Sequence, residues 1–218
     1  MKTLVIPAQQ THRASVIWLH GLGATCDDFQ GILPMFAQAV TDSCRFVFPQ
    51  APDQAVTVNN GMVMPAWYDV FGLDANSPPD EKGIRQAQGW LEQLIQAELN
   101  AGIASDKILL AGFSQGGAIA LQTGLRYPQK LAGILALSTY LPLAQTLAEE
   151  RHQHNQDIPI FLAHGTHDTV LTLDIAHKTR QHLQQSDYKI NWFEYGMEHA
   201  ICQQEISDIN QFLLEHLV

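Results

Sequence analysis

Apolar residues fall along this chain in two rhythms: short unbroken runs, and longer stretches in which they recur every three or four positions. The first unbroken run, Ser15-Val-Ile-Trp-Leu-His20, predicts a buried strand that Gly21-Leu-Gly23 stops. Residues 27–41 have helical spacing, interrupted by Gly31 and Pro34. Cys44-Arg-Phe-Val-Phe48 predicts a second strand, closed by Pro49. Residues 59–83 lose both rhythms. They are rich in Gly, Pro, Asn and Asp around Trp67 and Tyr68, and a segment of that length predicts a functional loop or lid. Residues 84–100 give the clearest helix: Ile84, Ala87, Leu91, Leu94, Ile95 and Leu99 share a face, and Asn100 with Gly102 supplies the stop. Strands are then predicted over residues 107–111, 131–138, 158–163 and 188–194, and helices over 114–126, 173–185 and from 203 to the end.

Apolar runs without alternation suit strands buried on both faces. Helices between them imply parallel pairing, because parallel strands need a crossover. The pattern therefore predicts an α/β fold, a mostly parallel, doubly wound sheet flanked by helices. No internal repeat, low-complexity tract or linker divides the chain, so residues 1–218 are expected to form one domain.

Composition narrows the function classes. A hydrophobic content of 46% is ordinary for a globular chain with a sizeable core. Twelve Lys and Arg against 22 Asp and Glu leave a net charge of −10, which phosphate backbones and anionic lipid surfaces repel. A nucleic-acid role is therefore not expected. Cys26, Cys44 and Cys202 are odd in number and widely spaced. They argue against a disulfide framework or structural zinc and for the reduced thiols of a cytoplasm. The apolar run from Leu4 to Ile6 is cut by Pro7, and no run is long enough to span a bilayer. Neither a secretory signal nor stable membrane insertion is expected.

The chemistry starts at Gly112-Phe-Ser-Gln-Gly116. A G-x-S-x-G pentapeptide is weak alone. Here a predicted buried strand ends at Ala111 and a helix of small residues follows, the strand-turn-helix setting of a nucleophile elbow. Ser114 is therefore the expected nucleophile. Acyl transfer builds charge on a carbonyl oxygen, and two fixed N–H groups are needed to stabilise it. One is expected from Gln115, next to the nucleophile. The other is expected from Leu22, in the glycine-rich turn His20-Gly-Leu-Gly23 after an early strand.

An acid and then a histidine should follow the serine along the chain. Asp168 lies in His164-Gly-Thr-His-Asp168, at the C-terminal end of a predicted strand, where open α/β sheets gather their ligand groups. Asp157 precedes its strand, and Asp174 and Asp187 lie on or beside helical stretches. Of ten histidines, only His199 stands just after the last predicted strand with no other role assigned. The expected roles follow: His199 as base, Asp168 as the acid that fixes its tautomer.

Together these segments resemble the carboxylesterase and acyl-protein thioesterase family, also called the phospholipase/carboxylesterase family. The resemblance rests on Leu19-His-Gly-Leu-Gly23, Ala66-Trp-Tyr-Asp69, Gly112-Phe-Ser-Gln-Gly-Gly117, His164-Gly-Thr-His-Asp168 and the region ending at His199, in order along most of the chain. It implies the α/β-hydrolase fold without a large lid domain, no cofactor or metal, and cleavage of carboxylic esters with short to medium acyl chains. The alternative within the family is an acyl-protein thioesterase or lysophospholipase acting on long acyl groups. Implied too is a substrate channel drawing on Trp67, Val70, Phe71, Leu73, Val170 and Leu171. The expected partner is a small ester or acyl-thioester substrate, and the resemblance is compatible with a homodimer. Three positions depart from its common pattern: Glu198 before the histidine, Thr169 after the acid, and Ala24 after the glycine-rich turn.

Two rivals remain to be weighed. His152, His154 and Asp157 look like metal ligands, but their spacing is not that of a helical zinc motif and they precede a strand. A non-catalytic scaffold of the same fold usually lacks a triad member, and none is missing here.

Overall fold

The unbroken apolar runs become the interior strands of one sheet. The computed structural model describes residues 1–72 and 77–218. In chain order it contains β1 (Thr3–Ile6), β2 (Ala14–Leu19), α1 (Gln38–Ser43), β3 (Cys44–Pro49), β4 (Asp53–Val56), β5 (Met62–Pro65), α2 (Glu81–Asn100), β6 (Ile108–Phe113), α3 (Gln115–Gly124), β7 (Gly133–Leu137), α4 (Leu147–Glu150), β8 (Ile160–Gly165), α5 (Leu173–Gln185), β9 (Ile190–Tyr195) and α6 (Gln203–Leu217). Seven strands pair in the order β1-β3-β2-β6-β7-β8-β9, and β4 pairs with β5 in a separate hairpin. Within the large sheet all pairs are parallel except β1 with β3.

Alternation along each strand sends side chains to opposite faces. Ile17 and Leu19 of β2 join Leu110 and Ile134 in a core covered by α2, α3, α4 and α5. Val16 and Trp18 join Leu109, Leu135 and Phe161 in a second core covered by α1 and α6. β2, β7 and β8 are buried at every position, which is why their sequences do not alternate.

The order of the strands positions the site. After β2 the chain builds β3 on one side, then crosses to build β6 on the other. Leu19 of β2 is the register partner of Gly112 of β6, so the loops leaving these two strands emerge side by side. This is a topological switch point, where a crevice opens at the C-terminal edge of the sheet.

Two expectations change, and one strand is new. The helix expected over residues 27–41 is broken into a 3₁₀ turn, Gln30–Met35, and the short α1. Pro34 lies in the first piece, Phe36 is extended (ψ 154°), and the Ala37 N–H donates to Asn210 Oδ1 of α6 instead of to a helical carbonyl. The segment 59–83 is not all loop. It holds β5, whose hairpin with β4 turns through Asn60 (φ 56°) and Gly61 (φ 75°), and it holds the first turn of α2, capped by Asp80 Oδ1 on the Gly83 N–H at 3.0 Å. The N-terminal apolar run forms β1, a partly exposed antiparallel edge that the interior-strand pattern does not reveal.

Candidate active site

Ser114 stands between the last residue of β6 and the first of α3, with φ 53° and ψ −121°. A non-glycine residue held there costs about 1–3 kcal/mol, so the surroundings must enforce it. They do so through the backbone. The Ser114 N–H donates to Leu137 O at 2.9 Å, and its carbonyl accepts from Thr139 Oγ1 at 2.6 Å and from the Ala118 N–H at 3.1 Å. The turn is so tight that a side chain on Gly112 would strike the Gly116 backbone, and one on Gly116 would strike the carbonyls of Leu19 and His20. Every residue of α3 is buried, and the Gln115 N–H, first in that helix, has no intrahelical acceptor.

Asp168 and His199 come from the loops after β8 and β9. His199 Nδ1 lies 2.6 Å from Asp168 Oδ2. A carboxylate only accepts, so Nδ1 carries the hydrogen, and in the neutral ring this leaves on Nε2 the lone pair that a base requires. Asp168 is itself fixed: Oδ1 accepts from the N–H groups of Val170 (2.9 Å) and Leu171 (2.8 Å). The two loops are tied by the Thr166 N–H on Tyr195 O (2.8 Å) and the His167 N–H on Met197 O (3.0 Å). Gly165 permits that approach, since a side chain there would strike the carbonyls of Met197 and Glu198. Phe113 packs on the His199 ring, centroids 4.8 Å apart.

Leu22 is presented by a loop anchored from beneath. His20 is buried, and its Nε2 accepts from the Ala51 N–H at 3.1 Å. Nδ1 must therefore carry the hydrogen, which it donates to Gly21 O at 2.7 Å. Burial pushes this histidine below its ordinary pKa, in keeping with a neutral ring. Trp67 donates its indole N–H to His20 O at 2.8 Å. The Gln115 side chain accepts from the Trp67 N–H (2.8 Å) and donates to Tyr68 O (2.7 Å), tying that segment to α3.

Ser114, His199, Leu22 and Gln115 all line one pocket of about 730 Å³. Of the residues expected to form the channel, Val70, Phe71, Val170 and Leu171 line it. Leu73 lies outside the described residues. Trp67 does not line the pocket: it is 1% exposed, and its ring belongs to the core under the Leu22 loop. Its apolar character serves packing and its indole N–H the backbone of His20. Further wall residues were not expected from the sequence: Phe29, Tyr140, Leu141, Leu143 and Ile175. Tyr140 hydrogen-bonds Tyr68 hydroxyl to hydroxyl at 2.7 Å. The segment carrying Tyr140 to Leu143 follows β7, and its place at the C-terminal edge was the available signal.

The rival metal cluster is not assembled. His154 Nδ1 is bound to Pro128 O at 2.7 Å, and among the described residues no group of three His, Cys, Asp or Glu could hold an ion.

Comparison with known proteins places this geometry in a lineage. A family model described as Phospholipase/Carboxylesterase matches residues 1–217. Acyl-protein thioesterase 1 of Neurospora crassa is 40% identical over 223 residues, covering 98% of this chain and 91% of that protein. The crystal structure of Arabidopsis thaliana SOBER1 superposes with a TM-score of 0.90 at 29% identity, covering 94% of this chain and 100% of that one. Acyl-protein thioesterase 2 of Zea mays superposes with a TM-score of 0.89 at 26% identity, covering 100% and 99% of the two chains.

Proposed function

Since the chain belongs to the phospholipase/carboxylesterase family of α/β hydrolases, we propose that it is a serine hydrolase that removes long acyl groups from thioesters and esters, with S-acylated proteins as its substrate class. The observation that carries this reading is the 2.6 Å contact of Asp168 with His199, which lines the same pocket as Ser114. Ser114 Oγ attacks the acyl carbonyl carbon while His199 Nε2 takes its proton. The oxyanion so formed is held by the N–H groups of Leu22 and Gln115. Collapse expels the thiolate or alkoxide, which takes the proton back from His199. Water, deprotonated by the same imidazole, then attacks the acyl carbonyl; the bond to Ser114 Oγ breaks, Oγ takes the proton back from His199, and the acid leaves.

Short to medium carboxylic esters were the first expectation from the sequence. The long-chain alternative is preferred for two reasons. Relatives about 40% identical along the whole chain bear the name acyl-protein thioesterase. The pocket wall also offers a chain of methylenes apolar side chains, among them Leu141, Leu143, Leu171 and Ile175. Burying each CH₂ contributes roughly 0.8 kcal/mol, about fourfold in kcat/KM while the chain still meets the wall. The test is a series of acyl thioesters from acetyl to palmitoyl. Rising kcat/KM with length is expected, and a maximum at acetyl or butyryl would sink the long-chain reading.

A further inference from the structure

His164 is the penultimate residue of β8 and wholly buried beneath the acid loop. Its Nε2 lies 2.7 Å from Leu171 O and 3.4 Å from Asp168 Oδ2. A carbonyl accepts, so Nε2 carries the hydrogen. The opposite nitrogen, Nδ1, is buried and meets no partner among the described residues. An orphaned buried nitrogen is destabilising, and an apolar side chain would fill the same space without it. The polar contacts of the ring run instead to one place, the turn that holds Asp168.

That turn closes a circuit. Leu171 gives its N–H to Asp168 Oδ1 and its carbonyl to His164, and its side chain lines the pocket. We infer that His164 is a positioning residue for the reaction: a neutral donor that locks the Leu171 carbonyl, and through it the N–H groups that aim Asp168 at His199. This rests on the catalytic reading above. The ionisable groups around the ring are Asp168 of its own loop, His199 after β9 and His177 of α5. Its register partner on β9, Glu194, is engaged by His177 and Trp192.

Two variants of one shape separate a positioning role from mere packing. Gln keeps an N–H donor and Met does not. His164→Met is expected to lose about 10²-fold in kcat with KM little changed, as for a catalytic group displaced by an ångström. His164→Gln should restore most of that loss. Folded His164→Met with wild-type kcat would overturn the inference, as would His164→Gln falling equally far at unchanged stability. A second readout needs no turnover: the far-downfield proton resonance of the His199 Nδ1–H in resting enzyme. It should persist in His164→Gln and be displaced or lost in His164→Met. If Met does not fold, loss of the resonance in folded His164→Gln overturns the inference. Wild-type protein that cleaves no acyl substrate sinks the catalytic reading instead, and the resonance still tests the His164 link.

Discussion

At Ser114 the backbone sits at φ 53°, and three hydrogen bonds to Leu137, Thr139 and Ala118 hold it there. The strain lifts the hydroxyl onto the sheet edge, where His199 is already fixed in its basic tautomer by Asp168. Ser114→Ala and His199→Ala should each lower kcat by roughly 10⁴ to 10⁶, measured on the thioester that wild type turns over best. Asp168→Asn should cost roughly 10³ to 10⁴, since it favours the wrong tautomer without removing the base. Near wild-type turnover in any folded variant would remove that residue from the mechanism. The sequence singles out these three as candidates because each stands just after a predicted strand, in the order Ser, Asp, His. Trp67, a channel residue by the family resemblance, belongs to the core instead. An aromatic side chain in a polar loop looks the same in sequence whether it faces ligand or core, and only the His20 carbonyl within reach of its indole decided it.

Among elements, the ends of β8 and β9 matter most to the site. Gly165 lets the acid loop lie directly on the carbonyls of Met197 and Glu198, two residues and one residue before His199. Gly165→Ala must push these loops apart. The expected result is a loss of about 1–3 kcal/mol from overpacking and about 10² in kcat. Urea unfolding and steady-state rates check the two together, and a variant as active as wild type would show that the loops tolerate separation. Helix α5 was predicted to its end residues, because its apolar spacing meets a single core face. The 27–41 stretch kept helical spacing yet broke at Phe36, because Asn210 of α6, far along the chain, takes the Ala37 N–H. The β4–β5 hairpin carried a readable Asn60-Gly61 turn, but its strands are only four residues long and largely exposed, unlike the buried strands of the central sheet.

Over the whole molecule, folding buries groups that an isolated segment would leave in water. Glu205 of α6 reads as an ordinary acidic first-turn residue, yet it is fully buried, and burial pushes its carboxyl up to about 8. The unfolded chain releases that proton near the ordinary glutamate value of 4.5. Between these values the unfolded state binds fewer protons than the folded one, so stability falls as pH rises from about 4.5 to about 8, by up to about 1.4 kcal/mol per unit. Glu205→Gln should therefore match wild type at pH 4 and exceed it by a few kcal/mol at pH 8 in urea unfolding. Parallel stability curves for the two proteins would count against a neutral buried carboxyl. Hydrophobic period and strand-end punctuation by themselves determined the fold class and the succession of interior strands, and singled out Ser114, Asp168 and His199 as candidates, because those are local consequences of burial and turn geometry. The order of strands in the sheet, the pairing of His164 with the acid loop, the wall built by the segment after β7 and the ionisation of Glu205 were decided only by tertiary structure. Each depends on which distant groups share a dry interior, and no spacing along the chain encodes that distance.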